Sequence, residues 1–170
     1  METINISFIK LKTKIVDSYT ETKTGWRGKD VNWKDLINVV SNSKVQYSMT
    51  EWRNGFKTPK NWSNPNQQAI CLDLDDGMTI AEAQKRFNRY TYCLATTKSH
   101  QQLKKGVRCD RFRIIIKAIN VSNDSNVYFK SLSLFSPEND TQTLTKTASF
   151  LGYDDAIVIE PPAFVIVTLL

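Results

Sequence analysis

The stretch from Gln68 to Arg89 leaves this chain the fewest choices. In Ile70-Cys71-Leu72-Asp73-Leu74-Asp75 the side chains of a strand alternate, so Ile70, Leu72 and Leu74 take one face and Asp73 and Asp75 the other. Asp76-Gly77 supplies a turn, and Thr79-Ile80-Ala81-Glu82 matches a capping box opening a helix expected to run to about Arg89. A strand with one apolar face, followed at once by a helix, calls for further strands to complete a sheet. Two are expected, over Thr91–Thr96 and Arg111–Ala118. In the second, Arg111, Arg113 and Lys117 share a face, and Phe112, Ile114 and Ile116 take the other.

Around this centre the patterning is looser. Ile4, Ile6 and Phe8 open a strand reaching to about Val16, and residues 17–32 read as a polar loop. Trp33–Val40 has helical spacing with Asn32 as N-cap. Residues 50–67 suggest irregular structure or a short hairpin at Asn54-Gly55. Helices are expected over Asp124–Phe135 and Thr141–Leu151, the latter stopped by Gly152, and strands over Ala156–Ile159 and Ala163–Leu169. The expectation is a single α+β domain with a mixed, largely antiparallel central sheet flanked by helices. Residues 1–62 would be a basic N-terminal part and residues 63–170 the functional core. A length of 170 residues suits one such domain.

Composition excludes several classes. Hydrophobic residues make up 41% and charged residues 24%, as in a globular protein, and no apolar run reaches membrane-span length. Met1-Glu2-Thr3 does not begin like a signal peptide. The odd set Cys71, Cys93 and Cys109 contains no Cys-x-x-Cys pair, which suits a reducing cytoplasm. Cys71 and Cys93 lie in apolar strands and read as core thiols, so no zinc is expected.

The net charge of +6 is unevenly distributed. Residues 63–83 carry four acidic and no basic residues, whereas residues 84–113 carry nine basic and one acidic. Asp73 and Asp75 on one strand face repel unless something neutralises them; Mg²⁺ or Mn²⁺ would, and so would a solvated strand end. Arg111 and Arg113 suit bidentate contacts with phosphate, although a solvated sheet face explains them equally well. Thr96-Thr97-Lys98-Ser99-His100 brings hydroxyls, a cation and the only histidine to a strand end.

Taken in order, these residues resemble the archaeo-eukaryotic primase superfamily, in particular its small phage and plasmid primase-polymerase domains. The resemblance runs from Trp52-Arg53-Asn54-Gly55 through Leu72-Asp73-Leu74-Asp75-Asp76-Gly77 and Thr96–His100. It continues through Asp110-Arg111-Phe112-Arg113 and ends near Gly152-Tyr153-Asp154-Asp155. It implies an RRM-like core and a template-dependent nucleotidyltransferase using two divalent metals in replication of a mobile element. Asp73, Asp75 and Asp155 would be the catalytic metal ligands, with Asp154 or Glu160 as alternatives to Asp155. Lys98, Ser99, His100, Arg111 and Arg113 would bind the nucleotide. The implied partners are DNA template and primer, nucleoside triphosphates, and a helicase supplied separately or in a longer parent chain. Arg53, Lys57 and Lys60 are candidates for the template, with Trp62 nearby. Two positions depart from the family pattern: Lys98 stands where a small hydroxyl residue is usual, and Pro162-Ala163-Phe164 lacks the usual arginine.

Two other readings fit parts of the pattern. One is a non-catalytic nucleic-acid-binding module with structural acids. The other is a haloacid-dehalogenase-type phosphatase, for which Asp73-Leu74-Asp75-Asp76 would be the nucleophile motif, set in a doubly wound parallel fold.

Overall fold

A computed structural model describes residues 3–12, 23–58, 60–61, 67–75, 77–104, 106–119, 121–122, 124–136, 148–159 and 167–168. The strand–turn–helix centre forms as its sequence requires. Strand β4 is Ala69–Leu74, and helix α2, Ile80–Arg86, begins at a complete capping box in which Thr79 and Glu82 satisfy each other's backbone N–H groups. Strands β5 (Tyr92–Thr96) and β6 (Phe112–Ile119) follow, with helix α3 (Ser125–Phe135) capped by Asp124. Earlier come β1 (Thr3–Lys10), β2 (Arg27–Asn32), α1 (Trp33–Val40, capped by Asn32) and β3 (Val45–Ser48). Later come β7 (Phe150–Leu151), β8 (Val158–Ile159) and β9 (Val167–Thr168).

The domain is α+β, but its strands form two sheets rather than one. The order is β2-β1-β3-β7 in one and β4-β6-β5-β8 in the other, with β9 alongside the end of β6. Among the described strands only the β6–β9 pairing is parallel. That is not a doubly wound parallel sheet, so the phosphatase reading fails on architecture.

Two apolar layers follow from the alternation. Ile70, Leu72 and Leu74 of β4 join Leu94, Phe112, Ile114 and Ile116 beneath Ala83 and Phe87 of α2 and Tyr128 and Leu132 of α3. On the opposite face Cys71, Cys93, Ala95 and Ile115 pack with Ile4, Ile6, Leu36, Val40, Tyr47 and Phe150. Cys71 and Cys93 are buried core thiols. Both faces of the β4-β6-β5 sheet are therefore covered, and side chains opposite the helices lie between the sheets. Asp73 and Arg113 project to that inter-sheet side.

Several local expectations change. The strand β2 lies in the presumed loop 17–32; its first four residues are exposed, because it is an edge strand carrying polar side chains. The helix expected over Thr141–Leu151 ends instead in a strand: Phe150 and Leu151 pair with Tyr47 and Gln46 of β3. Residues 141–147 lie outside the described residues, as do residues 13–16 of the expected first strand, residues 163–166 and 169 of the expected last strand, Trp62, Asp76 and Glu160. Gly152 has a packing role rather than a helix-stopping one, since a Cβ there would stand 2.6 Å from Val39 O and collide with Asn42 O. At Asn54-Gly55 the chain makes a single 3-10 turn.

Candidate active site

The strand register brings the proposed residues towards one end of the larger sheet. Leu74 pairs with Phe112, and Phe112 with Thr96, so β4 and β5 end where β6 begins. Asp75 leaves β4 there, the turn Thr97–His100 leaves β5, and Asp110-Arg111 enters β6. The order also makes β4 an outer strand of the sheet.

Asp73 of β4 and Asp75 just beyond it each meet a cation. Asp73 lies directly opposite Arg113, whose Nε is 3.1 Å from Asp73 Oδ1, with the two side chains 13% and 19% exposed. Arg113 also donates to Leu151 O at 2.7 Å, bonds the Tyr47 phenol, and lies over the Phe150 ring at 5.1 Å. Burial works against its charge, but Asp73 and Tyr47 outweigh burial and hold the guanidinium firmly protonated. Burial likewise pushes the Tyr47 phenol and the Cys71 thiol well above their ordinary values. Arg113 thus joins β6 to β3 and β7 of the other sheet. At the strand end, Asp75 Oδ2 pairs with Lys104 Nζ at 2.8 Å, and its backbone carbonyl accepts from the Cys109 thiol at 3.4 Å.

The histidine turn is built around Asp110 and Arg111. His100 Nδ1 accepts from the Arg111 backbone N–H at 3.2 Å, which places the proton of the neutral ring on Nε2. Asp110 accepts from Gln101 Nε2 at 2.6 Å and from the Ile80 backbone N–H at 2.8 Å, joining this turn to the start of α2. The Arg111 side chain is buried and donates to the carbonyls of Ser99, Gln102 and Val107, so it shapes the loop from within instead of facing a nucleotide. Ser99 Oγ lies 3.1 Å from Thr97 Oγ1, and Lys98 is exposed.

The remaining candidates lie elsewhere. Asp154 binds the Ser43 backbone N–H and hydroxyl, both at 2.8 Å, and so fastens the loop between α1 and β3. Asp155 is exposed in the adjacent turn. Arg53 and Lys60 are exposed, whereas Lys57 is only 7% exposed. Their segment bonds back to Lys23 and Trp26, at the margin of the smaller sheet. Trp52 is buried as core.

The donors for a metal are right in kind and few in number. Among the described residues no three of His, Cys, Asp and Glu come together, so the structure does not bring Asp155 to Asp73 and Asp75 as a ligand set. Two carboxylates suffice for one Mg²⁺ whose other ligands are water and substrate phosphate. They do not by themselves make a two-metal site. A cation at Asp75 would take the place that Lys104 Nζ now holds.

Lys104, Asp110, Gln101 and Tyr47 were not among the site residues expected from sequence. Only Asp110, which opens the Asp110-Arg111-Phe112-Arg113 motif, carried a local signal. No helix among the described residues is long and apolar enough to cross a membrane.

No family model and no curated protein matches the chain. Among solved structures it is similar to the AEP domain of the Cyanophage S-2L Primase-Polymerase, at 11% identity and a TM-score of 0.40 over 94% of this chain and 75% of that one. Likeness of that degree does not bear on the site.

Proposed function

We propose that the chain is a template-dependent nucleotidyltransferase of the primase-polymerase type, which joins nucleoside triphosphates to a 3′-hydroxyl during replication of a mobile element. One observation carries the reading: Asp75, the His100 turn and the Asp110-Arg111 entry to β6 meet at a single sheet end, with the β6 entry between the other two. A divalent cation arriving with the nucleotide supplies charge neutralisation and activation of the hydroxyl. Asp73 and Asp75 are the proposed carboxylates for it, and Asp155 is the third acid suggested by the resemblance. Arg113 holds Asp73 in place, and its bonds to Asp73 and Leu151 O leave it a positioning role. His100 donates from Nε2 to a phosphate oxygen, Lys98 and Ser99 flank that oxygen, and Arg111 holds the turn that presents them. Arg53 and Lys60 are the proposed template contacts, and a helicase is the proposed partner in replication.

A second reading has its own support. Since both acids already carry ion pairs, a nucleic-acid-binding module with structural acids is the alternative. The deciding experiment is template-directed synthesis on primed and unprimed DNA in Mg²⁺ and in Mn²⁺. Incorporation that needs both template and cation, and is lost in Asp75→Ala, supports the transferase. Oligonucleotide binding without incorporation supports the module.

A further inference from the structure

We infer that the hairpin whose arms are Leu103-Lys104 and Val107-Arg108 grips a single-stranded nucleic acid beside Asp75, an inference that deepens the reading above and rests on it. Lys104 and Val107 exchange both backbone hydrogen bonds, at 3.0 and 3.1 Å, and close the hairpin, with Gly106 at φ +78° in its turn. The arms are held in shape by Arg111, whose buried guanidinium donates to Ser99 O at 2.8 Å, Gln102 O at 2.7 Å and Val107 O at 3.2 Å. A merely solvated connector does not need a buried cation to fix its course.

The arms so held turn aliphatic side chains to water. Leu103 is 69% exposed and Val107 53%, with Arg108 and Lys98 exposed close to them in the chain. Lys104 ties its arm to Asp75. Aliphatic side chains among cations suit a partner with apolar flat faces and anionic edges, which describes stacked bases on their phosphates. Two aliphatic residues are too few to anchor the hairpin in a lipid surface, which requires a much larger buried apolar area. The hairpin would set Leu103 and Val107 against base faces and Arg108 against the backbone, fixing a strand next to the carboxylate.

The test is fluorescence anisotropy with labelled oligothymidylate of about 16 nucleotides. Leu103→Ser with Val107→Ser should bind about tenfold more weakly with an unchanged salt slope, since no charge is lost. Arg108→Ala should reduce that slope by about 0.7, the value for one phosphate contact on a single strand. Unchanged urea midpoints in both variants establish that the fold is intact. Wild-type affinity in the double variant overturns the inference. So does binding to phosphatidylserine vesicles that depends on Leu103 and Val107 while oligonucleotide affinity does not. If oligothymidylate binding depends on the two residues but no nucleotide is ever incorporated, the hairpin stands and the polymerase reading falls. If incorporation is intact and the double variant binds normally, the hairpin alone falls.

Discussion

Arg113 shows how one side chain can be read two ways. On its strand it is a cation placed to meet phosphate; in the fold it bonds Asp73, Leu151 O and Tyr47, joining the two sheets. Arg113→Met removes the cation beside a largely buried carboxylate and should cost about 3 kcal/mol, read as a lower urea midpoint at unchanged slope. Arg113→Met combined with Asp73→Asn should recover part of that loss, because the two residues share one interaction. Asp73→Ala is for the same reason an ambiguous probe of catalysis, whereas Asp75→Ala disturbs only a half-exposed pair. The buried phenols give a pH signature. Tyr47 and Tyr128 are both raised above 10.0, by burial first, so the fold favours the protonated form. Their contribution is whole below about pH 10, where unfolded tyrosine is still neutral, and is lost as pH rises above it. Stability should fall in that range, with phenolate absorbance from these two residues appearing only on unfolding, and Tyr47→Phe should lessen the fall.

Among the elements, legibility followed how local the determining contacts are. The β4–turn–α2 unit and the capped helices α1 and α3 could be read because alternation and caps act within a few residues. Strand β3 could not: its four residues are buried together, which erases the alternation that marks a half-buried strand. Strand β2 hid behind polar edge residues, and β7 exists because Tyr47 and Phe150, far apart in sequence, pair and stack at 5.6 Å. At the site, Asp73 and Asp75 could be picked out, but their partners Arg113 and Lys104 arrive 40 and 29 residues later and had no local signal as partners. Asp154 similarly meets Ser43 across 111 residues, which no motif announces. Gly152 offers a check on this level. Gly152→Ala should cost about 2 kcal/mol by forcing β7 away from the Val39 and Asn42 carbonyls, measured as a loss in thermal or urea stability.

At the scale of the whole molecule, a sheet covered on both faces leaves one end where acids and bases meet. The excess charge of +6 predicts salt-sensitive association with nucleic acid, so oligonucleotide affinity should fall steeply and log-linearly as salt rises. An affinity indifferent to salt would contradict the electrostatic part of the account. The central claim is narrower: Asp75, now paired with Lys104, takes part in holding a divalent cation that comes with a nucleotide. The direct measurement is paramagnetic resonance of free Mn²⁺, titrated with the chain in the presence and absence of a nucleoside triphosphate. The account predicts protein-bound Mn²⁺ that increases with nucleotide and disappears in Asp75→Ala, the variant's urea midpoint remaining near that of the wild type. Equal binding of Mn²⁺ and nucleotide by wild type and Asp75→Ala, or no binding by either, would contradict it.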